Sequence, residues 1–254
     1  MTAADEAFLA SAFRAVAEQA ARQGTRLLIS NEGISGNLWG DPTGLRNAGR
    51  LSQVLPDARI LFVVRNQPEM IASIYGQYVN EGGHGTFAEF LAGDIEGPSF
   101  DFTSLEYDRL AAGYIDLFGR DNVFVALYED LRRDPDAFVD AIAAFFGTSR
   151  PPRIEHTRVN VSLSAGPILA LRLWNRAFRV STFNPTPAVK ALRGGRTVRN
   201  VLQEVVDPIL RPVTPSLREQ KRQALEAWGI EKYAASNTRL SKLCGRSLRE
   251  LRYP

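Results

Sequence analysis

Cysteine, histidine and long apolar runs are all scarce in this chain. A single cysteine, Cys244, excludes an internal disulfide and suits a reducing compartment without requiring one. His84 and His156 are the only histidines, so no metal-ligand cluster is visible and no metal is expected. No apolar run approaches the roughly 18 residues of a membrane span. The start, MTAADEAFLASAFRAVAEQ, is amphipathic and acidic early, unlike a secretory signal. These absences lead to the expectation of a cytoplasmic protein. Gly33-Ile34-Ser35-Gly36 lacks nucleophile-elbow spacing and gives a serine hydrolase no support. Nor does any glycine-rich loop end in Lys-Ser/Thr or Gly-Thr-Thr, and Gly24-Thr25-Arg26 follows a helix, the wrong order for a phosphate cradle.

What the chain does have fits one α/β domain: 254 residues, 44% hydrophobic and 23% charged. The expected division is an α/β core over 1–150 and a helical C-terminal part over 151–254, within one domain. Net charge is only +3, but Arg150–Arg199 holds ten Lys or Arg residues and one acid, Glu155. Such a block is either a solvated basic face or a surface for a polyanion or phosphorylated cofactor. Its aromatics, Trp174, Phe178 and Phe183, form no nucleic-acid module, so no specific nucleic-acid partner is expected.

Three short apolar runs read as buried strands: Arg26–Ser30, Ile60–Val64 and Asn122–Leu127. The first leads into the polar loop Asn31-Glu32-Gly33-Ile34-Ser35-Gly36. In a parallel α/β sheet, loops at the carboxyl ends of strands hold the site, which would bring Ser30, Asn31 and Glu32 near Arg65. Helices are expected at about Ala4–Arg22, Leu45–Leu55, Pro68–Asn80, Thr86–Leu91, Ser104–Phe118, Pro135–Phe146, Asn160–Phe178, Ser216–Trp228 and Ala234–Leu243. Glu81-Gly82-Gly83-His84-Gly85 reads as a mobile loop and a poor place for a structural histidine.

The most informative stretch is ARILFVVRNQPEMIASIYGQYV, Ala58–Val79. Arg65 stands where a strand ends, Pro68 suits the start of a helix, and Ser73 lies on that helix's polar face. Two readings fit these residues. They are a surface arginine and a solvated serine, or they form an anion site from a cation, helix-end N–H groups and a hydroxyl.

This stretch resembles the donor 3′-phosphate region of sulfotransferases that use 3′-phosphoadenosine 5′-phosphosulfate (PAPS), which carry a serine eight residues after the arginine. Gln67, inserted before Pro68, departs from that pattern. The succession Val123–Leu127, Tyr128-Glu129-Asp130-Leu131 and Asp134-Pro135 resembles the same family, as does the tail YAASNTRLSKLCGRSLRELRYP. The resemblance implies a three-layer, P-loop-NTPase-like parallel sheet flanked by helices, with a helical C-terminal extension. It implies PAPS as sulfuryl donor, with Arg65 and Ser73 at its 3′-phosphate and Tyr128 against its adenine. Arg193 and Arg196, in a late basic-glycine segment, become further candidates for the phosphate. The SNxxL residues and final tyrosine are expected to be structural.

The resemblance covers about Arg26 to Pro254. The family's first strand and its 5′-phosphosulfate loop have no counterpart in these residues. Either the start lies upstream or half of the donor site is lost, and a chain without that loop is expected to be weakly active. The reaction implied is in-line attack of an acceptor hydroxyl, on a carbohydrate or small metabolite, at the sulfuryl sulfur. Glu32 is the candidate general base. A nucleotide- or anion-binding protein without catalysis, and a polyanion binder using Arg150–Arg199, are the alternatives.

Overall fold

Two of the three apolar runs pair with each other. In the computed structural model, β1 (Ile60–Val64) and β2 (Val123–Leu127) lie parallel, with Ile60 opposite Val123 and Val64 opposite Leu127. The model describes residues 3–36, 39, 43–150, 165–186 and 214–254, with 3–6, 32, 165 and 214–218 as backbone only. The α/β class with a parallel sheet therefore holds, and among the described residues the sheet has these two strands. The described chain groups into two compact units that interleave along the sequence. One holds Met1–Arg65, Asp101–Arg153 and Ala235–Arg252; the other holds Asn66–Phe100, Ile154–Ala234, Tyr253 and Pro254.

In the first unit, α1 (Ala3–Arg22) packs on α2 (Gly44–Val54), and α2 packs on α3 (Tyr107–Phe118). Helix α3 also covers one face of the strand pair. The Phe62 ring meets Tyr107 at 6.4 Å and Tyr114 at 6.1 Å between centroids. Such aromatic pairs add about 0.5–1.5 kcal/mol each beyond the area they bury. Burial pushes the Tyr114 phenol's pKa above its ordinary value. Val63, alternating to the other face, is 45% exposed.

The strand expected at Arg26–Ser30 does not form. Among the described residues the segment has no ladder partner, and Leu28 is 73% exposed. Apolar content and length make a run fit for a strand, but hydrogen bonding to a neighbour makes it one. Arg26 instead reaches the end of another helix. After β2 come α4 (Tyr128–Arg133) and α5 (Pro135–Phe146). Asp134 caps α5 by accepting from the Ala137 N–H at 3.0 Å, with Pro135 in the first turn, as Asp-Pro predicts. At the other end of α5, Arg26 Nη2 donates to the Gly147 carbonyl at 3.2 Å and Arg59 Nη1 to the Phe145 carbonyl at 2.5 Å. Two cations thus meet the negative end of this helix.

The last helix of the chain, α6 (Ala234–Cys244), is fixed in this unit by a buried carboxylate. Asp108 on α3 is 5% exposed. Its Oδ1 accepts from the Ser236 hydroxyl, and its Oδ2 faces Arg239 Nε at 2.5 Å. Leu240 on the same turn is fully buried. The SNxxL residues are therefore structural, anchored on a helix that covers the sheet.

In the second unit, α7 (Gln67–Asn80) starts from Asn66, whose Oδ1 accepts from the Glu69 N–H at 3.0 Å. The additional Gln67 becomes the first helical residue and is fully buried. Helix α8 (Phe87–Ala92) opens on a capping box formed by Thr86 and Glu89. The unit also holds α9 (Ala165–Phe178) and α10 (Thr214–Ala227).

The loop from Glu81 to Gly85, expected to be mobile, is held by side chains on both sides of it. Tyr75 Oη donates to the Gly85 carbonyl and the Gly85 N–H donates to Tyr78 Oη, each at 3.0 Å. Asn175 Nδ2 donates to the carbonyls of Val79 and Gly83 at 2.7 and 2.8 Å. Arg172 Nε donates to the His84 carbonyl at 3.2 Å. A Cβ on Gly83 would lie 2.3 Å from the Tyr78 ring, which explains glycine there.

Asp108→Ala is expected to lower stability by about 2–3 kcal/mol, since it leaves Ser236 and Arg239 without their buried acceptor. Urea unfolding followed by circular dichroism measures this. A loss within ~0.5 kcal/mol would remove Asp108 as the anchor of the C-terminal helix.

Candidate functional site

Parallel pairing carries register beyond the last ladder residues. Val64 faces Leu127, so Arg65 and Tyr128 follow as neighbours at the carboxyl ends of β1 and β2. The Arg65 guanidinium lies over the Tyr128 ring, with its carbon 4.8 Å from the ring centroid. Both side chains are half-buried. A guanidinium over a ring keeps its N–H donors in its own plane, toward the rim of the stack. That geometry suits an arginine that both stacks and recognises an oxyanion.

Asp130, two residues on, has a different role from Arg65 and Tyr128. Its Oδ1 accepts from Arg133 Nη2 at 2.9 Å, and its Oδ2 faces Arg246 Nη1 at 2.5 Å. The YEDL turn and the C-terminal tail are thus joined by an ion pair. Arg246 was not singled out from the sequence, because nothing local marks a tail arginine as the partner of an acid 116 residues earlier.

Glu32, Ser73, Arg193 and Arg196 are the other sequence-derived site residues. Glu32 begins a short 3₁₀ helix, Glu32–Ser35, capped by Asn31, whose Oδ1 accepts from the Gly33 N–H at 2.7 Å. Asn47 Nδ2 on α2 donates to the Gly33 carbonyl at 3.1 Å, so this turn rests on α2. Because Arg26–Ser30 is not a strand, Glu32 does not follow a strand edge as expected. Its side chain lies outside the described residues. Ser73 stands half-buried on α7 in the second unit. Arg193 and Arg196 lie outside the described residues. Of the six residues, the structure brings Arg65 and Tyr128 together.

Among the described residues no group of three His, Cys, Asp or Glu side chains is placed to hold a metal ion. No described helix is long and apolar enough to cross a membrane. Burial pushes the Cys244 thiol's pKa up, with Arg120 and Arg246 pulling the other way.

The fold and site define an α/β protein with an arginine–tyrosine pair at the carboxyl edge of a parallel sheet. The model of the sulfotransferase family matches residues 1–152. The chain belongs to the sulfotransferase family. It is also similar to a sulfotransferase from Alicyclobacillus acidocaldarius of known crystal structure, at 22% sequence identity and a TM-score of 0.47. That similarity covers 82% of this chain and 63% of the other, so the chain spans less than two thirds of that protein's length. No curated protein matches.

The Arg65–Tyr128 contact has a measurable energy. A double-mutant cycle with Arg65→Ala and Tyr128→Leu, read by chemical unfolding, is expected to give a coupling of about 0.5–1 kcal/mol. Tyr128→Phe should retain most of it. A coupling indistinguishable from zero would mean that the two side chains do not stack in solution.

Proposed function

We propose that this chain binds the nucleotide of PAPS through Arg65 and Tyr128 and transfers the sulfuryl group to a hydroxyl of a carbohydrate or small-molecule acceptor. The observation that supports this most is the guanidinium 4.8 Å from the ring centroid at the ends of two parallel strands. In adenosine 3′,5′-bisphosphate the base and the 3′-phosphate are separated by one ribose. An aromatic face and a cation held side by side fit those two groups. Ser73 adds a hydroxyl donor in this reading, and Arg193 and Arg196 add charge.

In the reaction an acceptor hydroxyl attacks sulfur in line with the 5′-phosphate oxygen. The new O–S bond forms as the old one breaks, adenosine 3′,5′-bisphosphate leaves, and the hydroxyl proton passes to a base. Glu32 is the residue proposed for that proton. The contribution of the protein is then positioning and charge neutralisation. Arg65 and Tyr128 act on the nucleotide end of the donor, remote from the sulfur, so they contribute to binding and orientation.

A second reading, a weakly catalytic protein that binds a nucleotide or another anion, is favoured by one specific observation. The 254 residues contain no glycine-rich loop with a Lys-Ser/Thr end to neutralise the sulfuryl group and leaving oxygen. Losing one such donor costs about 10²–10³ in rate. In both readings these residues bind adenosine 3′,5′-bisphosphate; in the second, transfer by this chain is slow. The block at Arg150–Arg199 as a polyanion surface lies largely outside the described residues.

Adenosine 3′,5′-bisphosphate at millimolar concentration is expected to raise the melting temperature by a few degrees, about 2–4 °C per kcal/mol for a chain of this size. Arg65→Ala should abolish the shift, and Tyr128→Leu should weaken binding at least ~10-fold. The absence of a shift in the unsubstituted protein would overturn both readings. Rapid sulfate transfer by these 254 residues would overturn the second.

A further inference from the structure

The second unit contains a cavity that the donor-site reading does not use. It has a volume of about 220 Å³ and opens between α7, α8, α9 and α10. Its wall is built mainly from Tyr75, Phe87, Ile168 and Ala224, with Arg172 and Lys221 as the charged members. A dry apolar cavity of roughly 150 Å³ is enough to hold a benzene ring. This one is larger, partly polar and open to solvent.

Lys221 is the unusual feature of that wall. Its Nζ stands 5.4 Å from the centroid of the Tyr75 ring and 5.7 Å from that of Phe87. Among the described residues no carboxylate lies within ion-pair distance of it. The nearby acids of its own helix, Glu219 and Glu226, are both held by Arg222. Burial alone pushes the Lys221 pKa below its ordinary value. Burial therefore disfavours the ammonium where it stands, with two ring faces as its partners.

Arg172 provides a second positive charge, oriented by its 3.2 Å hydrogen bond to the His84 carbonyl. Glu89 lies within electrostatic reach of Arg172. Its Oε2 accepts from the Thr86 N–H at 2.6 Å, and the Thr86 N–H and hydroxyl hold its carboxyl below the usual carboxylate range. Among the described residues, two cations against one carboxylate leave the cavity one positive charge in excess. Among the described residues no ion pair requires a lysine at this position, and an apolar side chain would fill it at lower cost.

We infer that this cavity is a binding site for a small organic monoanion with an apolar body, of the aryl carboxylate class. The ring of such a ligand lies among Tyr75, Phe87 and Ile168, and its carboxylate faces Lys221 and Arg172. Binding removes the charge imbalance and replaces the water that an open, partly polar cavity holds. The inference does not rest on the donor-site reading, because Arg65 and Tyr128 belong to the other unit.

The test is calorimetric titration of the full chain with benzoate, and with benzyl alcohol as a neutral probe of nearly the same shape. Saturable benzoate binding, at least ~10-fold tighter than benzyl alcohol, is expected. Lys221→Gln should remove that preference while leaving the melting temperature unchanged or higher, since a disfavoured charge is lost. Ala224→Leu, which fills the cavity and keeps both cations, should abolish binding of both probes and guards against a folding defect in the first variant. No saturable binding up to ~10 mM, equal affinity for the two probes, or unchanged benzoate affinity in Lys221→Gln would each overturn the proposal.

Discussion

The parallel register of β1 on β2 is the constraint on which the site depends. A one-residue slip would send the side chain of position 65 to the opposite face from that of position 128, because strand side chains alternate. The register is fixed from the α3 side of the pair. Phe62 must meet Tyr107 and Tyr114 on α3, and the C-terminal helix is bound to the same α3 through Asp108. The distant tail is therefore tied to the helix that supports the geometry of Arg65 and Tyr128. The Asp130–Arg246 pair adds a second tie between the tail and the turn that begins at Tyr128.

Helices were the most legible part of this fold, because apolar period marks them and capping chemistry marks the starts of three. Asn66 before Gln67-Pro68, Thr86 with Glu89, and Asp134 with Pro135 all act as caps at the ends where their residue types predict them. The strands were legible in composition and ambiguous in partnership. Arg26–Ser30 has an apolar centre, Leu27-Leu28-Ile29, between two polar residues where β1 is apolar throughout, and it is an exposed segment outside the sheet. The proximity of Arg65 and Tyr128 followed from two strand ends and a family resemblance, and the register makes it a physical consequence. The expectation that Glu32 follows a strand edge depended on a strand that does not form.

Less legible were the single polar residues within apolar helix patterns. Asp108 and Asn175 each interrupt an otherwise ordinary amphipathic helix and carry no motif. Their roles come from partners 128 and 92 residues away, a separation that no local window spans. Each satisfies backbone or side-chain groups that would otherwise be buried without a partner, at a cost of about 1–3 kcal/mol apiece. Such residues specify the packing of helices against one another, and their replacement by apolar groups would be felt through the partner left behind.

The loop between Asn80 and Thr86 shows how this logic extends to function. Its three glycines suggest freedom, yet Gly82, Gly83 and Gly85 are all buried and the backbone is held by tyrosine, asparagine and arginine side chains. Gly83 is needed because the chain passes so close to Tyr78 that a methyl group would collide with the ring, and Gly82 because its φ is +112° and a Cβ would meet the Ser181 side chain. Tyr75, with its hydroxyl bound to this loop, has its ring turned to the cavity wall, and Arg172, bound to the same loop, supplies charge to that wall. Rigidity in the loop thus becomes preorganisation of the cavity: the groups that a ligand would meet are held by bonds to backbone that must itself be satisfied. A site positioned in this way loses little entropy on binding, and its affinity is decided by the charge at Lys221.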